Sequence, residues 1–281
     1  MLKPAFDIIP GDLDPHTLSS HHLVMEIGDR VFSYFIFDKS NHALVALRDF
    51  VFDSESNRPM ADMIAEVVAS DPVLARKFHD TTVVYSFPES SLLPSTFNND
   101  SLDRSITQLV YGNVQKGMIF REPVEGWEMV NVYRISRDLQ SFIEQEFHPS
   151  RIFHAYTLML GNLEREAEDE NLLKLRFYSD RLVVMAIKNG ALQVIQTFFY
   201  QTPDDAAYHL LAICEQFDIS PSSVLLEVGG LIDKQSALYS ELQKYFLHIH
   251  HEEFPGMESG ELLTDFPAHY FSPLLKFATC V

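Results

Sequence analysis

The feature that most constrains this sequence is a pattern that occurs twice: three short apolar runs, a helical segment, then a fourth apolar run. In the first occurrence Leu23–Ile27 is closed by Gly28-Asp29, Val31–Phe37 is rich in aromatic and β-branched residues, and the polar Asp38–His42 leads back into Ala43–Phe52. Runs of that length bounded by Gly, Asp and Asn read as strands joined by hairpins. Met60, Met63, Ile64, Val67 and Val68 recur at spacings of three and four, which predicts one buried helix face. Pro59 suits the first turn of that helix, and Ser70–Pro72 ends it. Thr81–Phe87, closed by Pro88, completes a β-β-β-α-β order.

The second occurrence runs from Leu172–Phe177 through a Ser179-Asp180 turn into Leu182–Ile187, with a tighter hairpin at Lys188-Asn189-Gly190 and a third strand over Ala191–Tyr200. Thr202 or Asp204 caps the next helix, whose apolar face carries Ala207, Leu210, Leu211, Cys214 and Phe217. Ser222–Val228 is the fourth strand. Letters match as well: Asp29-Arg30-Val31 with Asp180-Arg181-Leu182, Ala43-Leu44 with Ala191-Leu192, and Phe50-Val51-Phe52 with Phe198-Phe199-Tyr200. Agreement of order, hairpins and letters points to an internal duplication.

Between the copies, Glu89–Asn171 predicts helices over Leu102–Val110, Arg137–Phe147 and from Ala155, with strands at Met118–Phe120 and Met129–Ile135. The acidic run Glu164–Glu170 has few apolar anchors and reads as a solvated boundary. The expected division is therefore 1–166, a first lobe with an inserted subdomain, and 167–281, a second lobe. Glu253–Pro267 reads as a surface loop and Tyr270–Phe277 as a closing helix.

Composition narrows the function classes. Forty acidic against 21 basic residues give a formal charge of −19, which repels phosphate backbones and anionic lipid, so neither nucleic acid nor a membrane is an expected partner. Cys214 and Cys280 are the two cysteines, too few for a disulfide framework or a cysteine zinc module. The N-terminal MLKPAFDIIPGDLDP lacks the apolar core of a signal peptide, and no run approaches the ~18 apolar residues of a spanning helix. A cytoplasmic location is the expectation.

An antiparallel meander followed by a helix and a parallel strand resembles the opening of a ribonuclease-H-like domain. Two such βββαβα lobes in tandem resemble the actin-like ATPase arrangement, an α/β fold shared by actin, sugar kinases, chaperone ATPases and assembly proteins. More closely, the chain is similar to a bacterial family of unknown function assigned to that fold. The resemblance implies ATP and magnesium between the lobes, wrapped by a glycine-containing turn after the first strand of each, with an Asp near the metal. Bare backbone is the physical requirement, because N–H groups must approach phosphate closely. The matching places are Glu26-Ile27-Gly28-Asp29, with Glu for the usual Asp, and Phe177-Tyr178-Ser179-Asp180, with no glycine and aromatic bulk. Val228-Gly229-Gly230-Leu231 matches a Gly-Gly pair that packs against adenosine in the family. The nucleotide residues, if there is such a site, are thus Glu26, Gly28, Asp29, Ser179, Asp180, Gly229 and Gly230. Fold does not carry function.

Each place also has a plain structural reading. Gly28 suits a hairpin position with positive φ, and Gly229-Gly230 suits a strand-to-helix turn. The cluster His248-Ile249-His250-His251-Glu252-Glu253 would put His248 and His250 on one strand face with Glu252 beyond them, two imidazoles and a carboxylate of the kind that hold a divalent metal. No fixed ligand spacing accompanies it, so no metal is assigned. A two-metal nuclease would recruit Glu26, Glu66 and Glu89, but no Lys/Arg stripe is present to hold a polyanion. His21-His22 reads as polar lead-in, Trp127 as a strand residue anchoring a core or interface, and Cys214 as an inert core thiol. No nucleophile elbow, P-loop or dinucleotide fingerprint is found. The expectation is a non-catalytic binding or scaffold protein with a degenerate nucleotide site, acting on a protein partner through a cleft or a sheet edge. The alternative is an active ATPase or small-molecule kinase with atypical phosphate loops.

Overall fold

A computed structural model describes residues 3–10, 13, 17–53, 58–97, 99–112, 117–163, 171–253 and 262–280. They form two compact units. The acidic run 164–170 and most of the expected loop, 254–261, lie outside the described residues.

The first unit contains β1 (Phe6–Ile8), β2 (His22–Ile27), β3 (Val31–Asp38), β4 (Ala43–Val51), α1 (Met60–Ser70), β5 (Asp80–Tyr85), β6 (Ser90–Pro94), α2 (Asp100–Tyr111), β7 (Gly117–Val124), β8 (Met129–Ser136), α3 (Arg137–Phe147), β9 (Arg151–His154) and α4 (Ala155–Gly161). Its main sheet has the order β1-β4-β3-β2-β5-β9, and β6-β8-β7 form a second, three-stranded sheet. The β2–β3–β4 meander is antiparallel, while β5 runs parallel to β2 and β9 parallel to β5. α1 buries Met63, Ile64 and Val67 against Leu23, Met25 and Ile27 of β2 and their neighbours, the stripe that its spacing predicts. Pro59 stands one position earlier than expected, as the N-cap residue.

The second unit contains β10 (Leu172–Phe177), β11 (Arg181–Lys188), β12 (Ala191–Phe199), α5 (Pro203–Gln216), β13 (Leu225–Gly230), α6 (Ala237–Leu242), β14 (His248–His251) and α7 (Ser272–Leu275). Its sheet order, β12-β11-β10-β13-β14, repeats β4-β3-β2-β5-β9 strand for strand with the same directions. Asn189 and Gly190 both take positive φ, 50° and 71°, as the Asn-Gly hairpin requires. Thr202, not Asp204, caps α5: its side chain accepts from the Asp205 N–H, and the Asp205 carboxylate accepts from the Thr202 N–H. Ala206, Ala207, Leu210, Ile213 and Cys214 pack on one sheet face. Burial pushes the Cys214 thiol up to about 11, in keeping with an inert core group.

Backbone bonds align the two sheets more finely than letters do. Gly28 N–H donates to Val31 O at 2.9 Å and Tyr178 N–H to Arg181 O at 2.8 Å; Phe52 N–H donates to Arg30 O and Tyr200 N–H to Asp180 O. β3–β4 is irregular between Ile36 and Phe37, and β11–β12 between Ala186 and Ile187. Asp29-Arg30 is therefore the equivalent of Ser179-Asp180, one residue away from the letter match of Asp29 with Asp180.

Several expectations are corrected. Trp127 lies in the turn between β7 and β8, not in a strand, and its Nε1–H donates to Leu160 O at 3.2 Å. His22 is not polar lead-in; it is 1% exposed in β2, bonded through Nε2 to Thr82 Oγ1 and stacked on Phe37. The closing segment is broken, with 3-10 turns at Ala268–Tyr270 and Lys276–Cys280 on either side of α7. The fourth strand of the second occurrence begins at Leu225, because Ser220 O accepts from the Ser223 and Val224 N–H groups and holds that stretch as a turn.

Candidate functional site

The first matching place sits where β2 and β5 end together, with Ile27 paired to Tyr85. Glu26 is 1% exposed and stands between Ser33 and Val84, on the face opposite Met25 and Ile27. Gly28 is buried and Asp29 exposed. Positive φ among the described glycines falls at Gly112, Gly126, Gly190 and Gly230, so Gly28 does not take the left-handed backbone expected of it.

In the second unit the corresponding ends of β10 and β13 bring Ser179-Asp180 and Gly229-Gly230 together, since Phe177 pairs with Gly230. Tyr178 is buried at the turn, and two guanidinium groups lie against its ring, Arg176 at 4.9 Å and Arg181 at 4.4 Å from the centroid. Arg181 is 2% exposed, its Nη1 lies 3.6 Å from the Asp180 carboxylate, and its Nη2 is buried without a hydrogen-bond partner among the described residues. Arg176 occupies the position that Glu26 holds in the first sheet, each lying two residues before the turn residue that closes the hairpin.

Gly229 and Gly230 are explained by their own surroundings. Gly230 has φ of +83°, and a Cβ there would stand 2.2 Å from Phe177 O. A Cβ on Gly229 would stand 2.7 Å from Glu252 Oε2 and 2.8 Å from Pro273 Cγ. The space over Gly229 is thus occupied by α7 and by the residue that follows β14.

Glu252 is 5% exposed in its side chain yet well supported: Lys174 Nζ lies 2.9 Å and Lys276 Nζ 2.8 Å from Oε1, and Ser272 Oγ donates to Oε2 at 3.1 Å. Burial alone would raise its pKa, but Lys174 and Lys276 outweigh burial and hold the carboxyl below its ordinary range. Glu227 completes the network on Lys174. Removing half of a buried pair strands the other half, so Glu252→Gln is expected to cost about 3 kcal/mol in urea unfolding. A loss below about 0.5 kcal/mol would show the network to be a surface one.

This pairing also bears on the histidine cluster. His248, His250 and Glu252 do share one side of the strand, but two ammonium groups already engage the carboxylate. His251 turns the other way, stacked on Tyr239 with ring centroids 5.6 Å apart and tilted against His269 at 3.9 Å. Among the described residues no three His, Cys, Asp or Glu side chains are grouped to hold a metal. The nuclease carboxylates are not assembled either, as Glu66 pairs with Arg58 and Glu89 with Arg134. Sequence reading missed Arg176, Arg181 and Tyr178 as a unit; alternation along β10 would have placed Arg176 and Tyr178 on one face.

Comparison with known proteins places this geometry in a structural class. A chain from Bacteroides thetaiotaomicron VPI-5482, described as a protein with actin-like ATPase fold and unknown function, superposes with a TM-score of 0.78 at 14% identity, covering 96% of this chain and 100% of that one. A chain of a PilM–PilN type IV pilus biogenesis complex superposes with a TM-score of 0.64 at 14% identity, covering 92% and 98%. These likenesses show the fold, that of the actin-like ATPases. A family model described as "Protein of unknown function (DUF3822)" matches residues 10–249. No curated protein matches the sequence. Among the described residues no helix is long and apolar enough to cross a membrane.

Proposed function

The chain belongs to the family described as protein of unknown function (DUF3822), and within it we propose that this member is a non-catalytic binding or scaffold protein whose nucleotide site has degenerated. The observation that carries this reading is the filling of the second unit's turn. Tyr178 and the two guanidiniums against its ring stand where a phosphate would need bare backbone, and Glu252 with Pro273 covers Gly229. Phosphoryl transfer depends on positioning and electrostatic support of the phosphates, so loss of the cradle removes most of the catalytic apparatus.

The identical strand order and matching irregularities of the two sheets support a duplicated origin, with lobes of 1–166 and 167–281. A protein partner is favoured because a similar chain occurs in a PilM–PilN complex and because a charge of −19 opposes polyanions. A cytoplasmic setting belongs to the same reading.

One observation favours the alternative, an active ATP-binding protein: among the described residues the Nη2 of Arg181 has no hydrogen-bond partner beside Ser179-Asp180, and an anion there would satisfy it. Calorimetric titration with Mg-ATP separates the two. The scaffold reading expects no heat up to roughly millimolar nucleotide. Micromolar binding that Arg181→Ala abolishes, or phosphate release lost in Glu26→Ala, would establish the alternative.

A further inference from the structure

The last residue of β14 is a histidine whose hydrogen-bonding groups go unused. Both ring nitrogens of His251 are buried without a hydrogen-bond partner among the described residues. A neutral imidazole carries one donor and one acceptor, so both are left unmet. The first unit shows that the position itself does not demand this. Ser86 N–H donates to Ile27 O and Leu231 N–H to Phe177 O, which makes Val83 the equivalent of Val228. Their partners on the edge strands are Ile152 and His251. An isoleucine therefore does the same structural work in the first sheet. What distinguishes His251 is its contact with the closing segment. Its ring lies 3.9 Å from that of His269, a buried residue of the 3-10 turn Ala268–Tyr270 whose Nε2 donates to Ile232 O.

We infer that His251 and His269 form a latch that weak acid releases, loosening the closing segment Leu263–Lys276 from its seat over Gly229. Two neighbouring residues hold that segment: His269 rests on His251, while Ser272 and Lys276 engage Glu252. Weak acid undoes only the first, because Lys174 and Lys276 keep the Glu252 carboxyl ionised. A protonated His251 would carry two N–H donors, and nothing that faces it can take them. Tyr239 faces it from α6, Asp233 and Lys234 from the turn before α6, His269 from the closing segment and Val228 from β13. Asp233 is the acid among them, and it already accepts from the Gln235 N–H at 2.6 Å and from the Tyr270 hydroxyl. Lys234 and His269 repel a positive ring. Opening the segment gives the imidazolium to water, so the proton binds the open form. That is the sense in which burial, His269 and Lys234 hold the ring at about 4 in the closed form. The latch is therefore whole above the ordinary histidine range and weakens as pH falls towards 4. Phe271, Leu274 and Leu275 are buried in the closed form, so release is a shift of population and not a loss of fold. What opening uncovers rests on the reading of Gly229 as a covered, degenerate site; the opening itself does not depend on any nucleotide.

Hydrogen exchange on the full chain at pH 7.5 and 5, without nucleotide, tests the latch. The reporters are the Leu274 and Leu275 amides, both bonded to Phe271 O. They are expected to be less protected than β11 amides and nearly indifferent to low urea, the mark of a local opening. Their protection, corrected for intrinsic rate, should fall at least about tenfold at pH 5. His251→Phe keeps a ring against His269 and removes the titration, so its closing segment should hold at pH 5 the protection it has at pH 7.5. His251→Ile, the residue of the first sheet, should behave alike, which frees the test from one variant's folding. Reporter protection that is the same at both pH values overturns the inference. So does a segment that opens only with the whole unit, sharing the protection and urea dependence of β11. An acid response that survives in both folded variants overturns it as well. The degenerate-site reading is tested separately by calorimetry, so the two failures are distinct.

Discussion

Alanine in place of Gly230 is expected to destabilise the protein by about 4 kcal/mol, at the severe end for a single substitution, through backbone geometry alone. Two effects add. A φ of +83° is strained for any residue with a Cβ, which costs of order 1–2 kcal/mol. The added methyl would also stand 2.2 Å from Phe177 O and 3.1 Å from its N and C atoms. Those atoms belong to β10, and Phe177 O already accepts from Leu231 N–H at 2.9 Å, so they cannot retreat without breaking the β10–β13 ladder. Gly229→Ala is the internal control. Its close neighbours are the end of the Glu252 side chain and the Pro273 ring, which yield by small shifts of side chain and α7, so about 2 kcal/mol is expected. Urea denaturation of both variants checks the order. If Gly230→Ala lies within about 1 kcal/mol of wild type, the glycine is not there for the strand crossing, and retention for adenosine packing regains force.

That contrast shows how far the sequence could be read. The hairpins were legible because strands of six to nine residues keep a full apolar run, as in Val31–Asp38 and Arg181–Lys188. Elements of three to five residues were not. Phe6–Ile8, Ser90–Pro94 and Arg151–His154 are too short to show alternation, and each exists because a neighbouring strand offers an edge. α6 is similarly brief, and its Ser236 cap can be recognised only after the strand before it is fixed. The letter match of Asp29-Arg30 with Asp180-Arg181 slipped by one residue because turn composition repeats easily, whereas the bond from Tyr178 N–H to Arg181 O does not. At the candidate site, the absence of glycine at Tyr178 was plain in the letters. The pair of arginines against its ring was not, since Arg181 is brought there by the hairpin's return. The support of Glu252 was hidden for a related reason: its partners, Lys174 and Lys276, lie far from it in sequence and are collected by β10 and the segment after α7.

Lowering the pH from 7.5 to 5 is expected to remove about 4 kcal/mol of stability, well before any carboxylate pairing is lost. Two buried imidazoles account for it. Burial, followed by Lys39, holds the His22 pKa down to about 4, with Arg151 and His79 acting the same way and Asp80 partly opposing them. Burial brings His154 to about 4 as well. The bonds of His154 show why it resists a proton: Nε2 donates to Phe87 O at 2.9 Å, so Nδ1 must accept from the Tyr156 N–H at 3.1 Å, and protonation would set two donors against each other. A histidine whose folded pKa is depressed binds its proton first in the unfolded chain. Stability is therefore full above the ordinary pKa near 6.5 and falls as pH drops towards 4, by ~2 kcal/mol for each group at pH 5. His251, also held at about 4 by burial, His269 and Lys234, works in the same direction. Glu122 works against them, because burial pushes its carboxyl up and acid favours its folded form, so it opposes what His251 adds. Glu252, with its lowered pKa, adds its own loss only below the ordinary carboxylate range. Urea midpoints at the two pH values, for wild type and His22→Leu, measure the effect. The variant should flatten the dependence by ~2 kcal/mol, and equal wild-type midpoints at both pH values would mean that neither His22 nor His154 is held neutral by the fold.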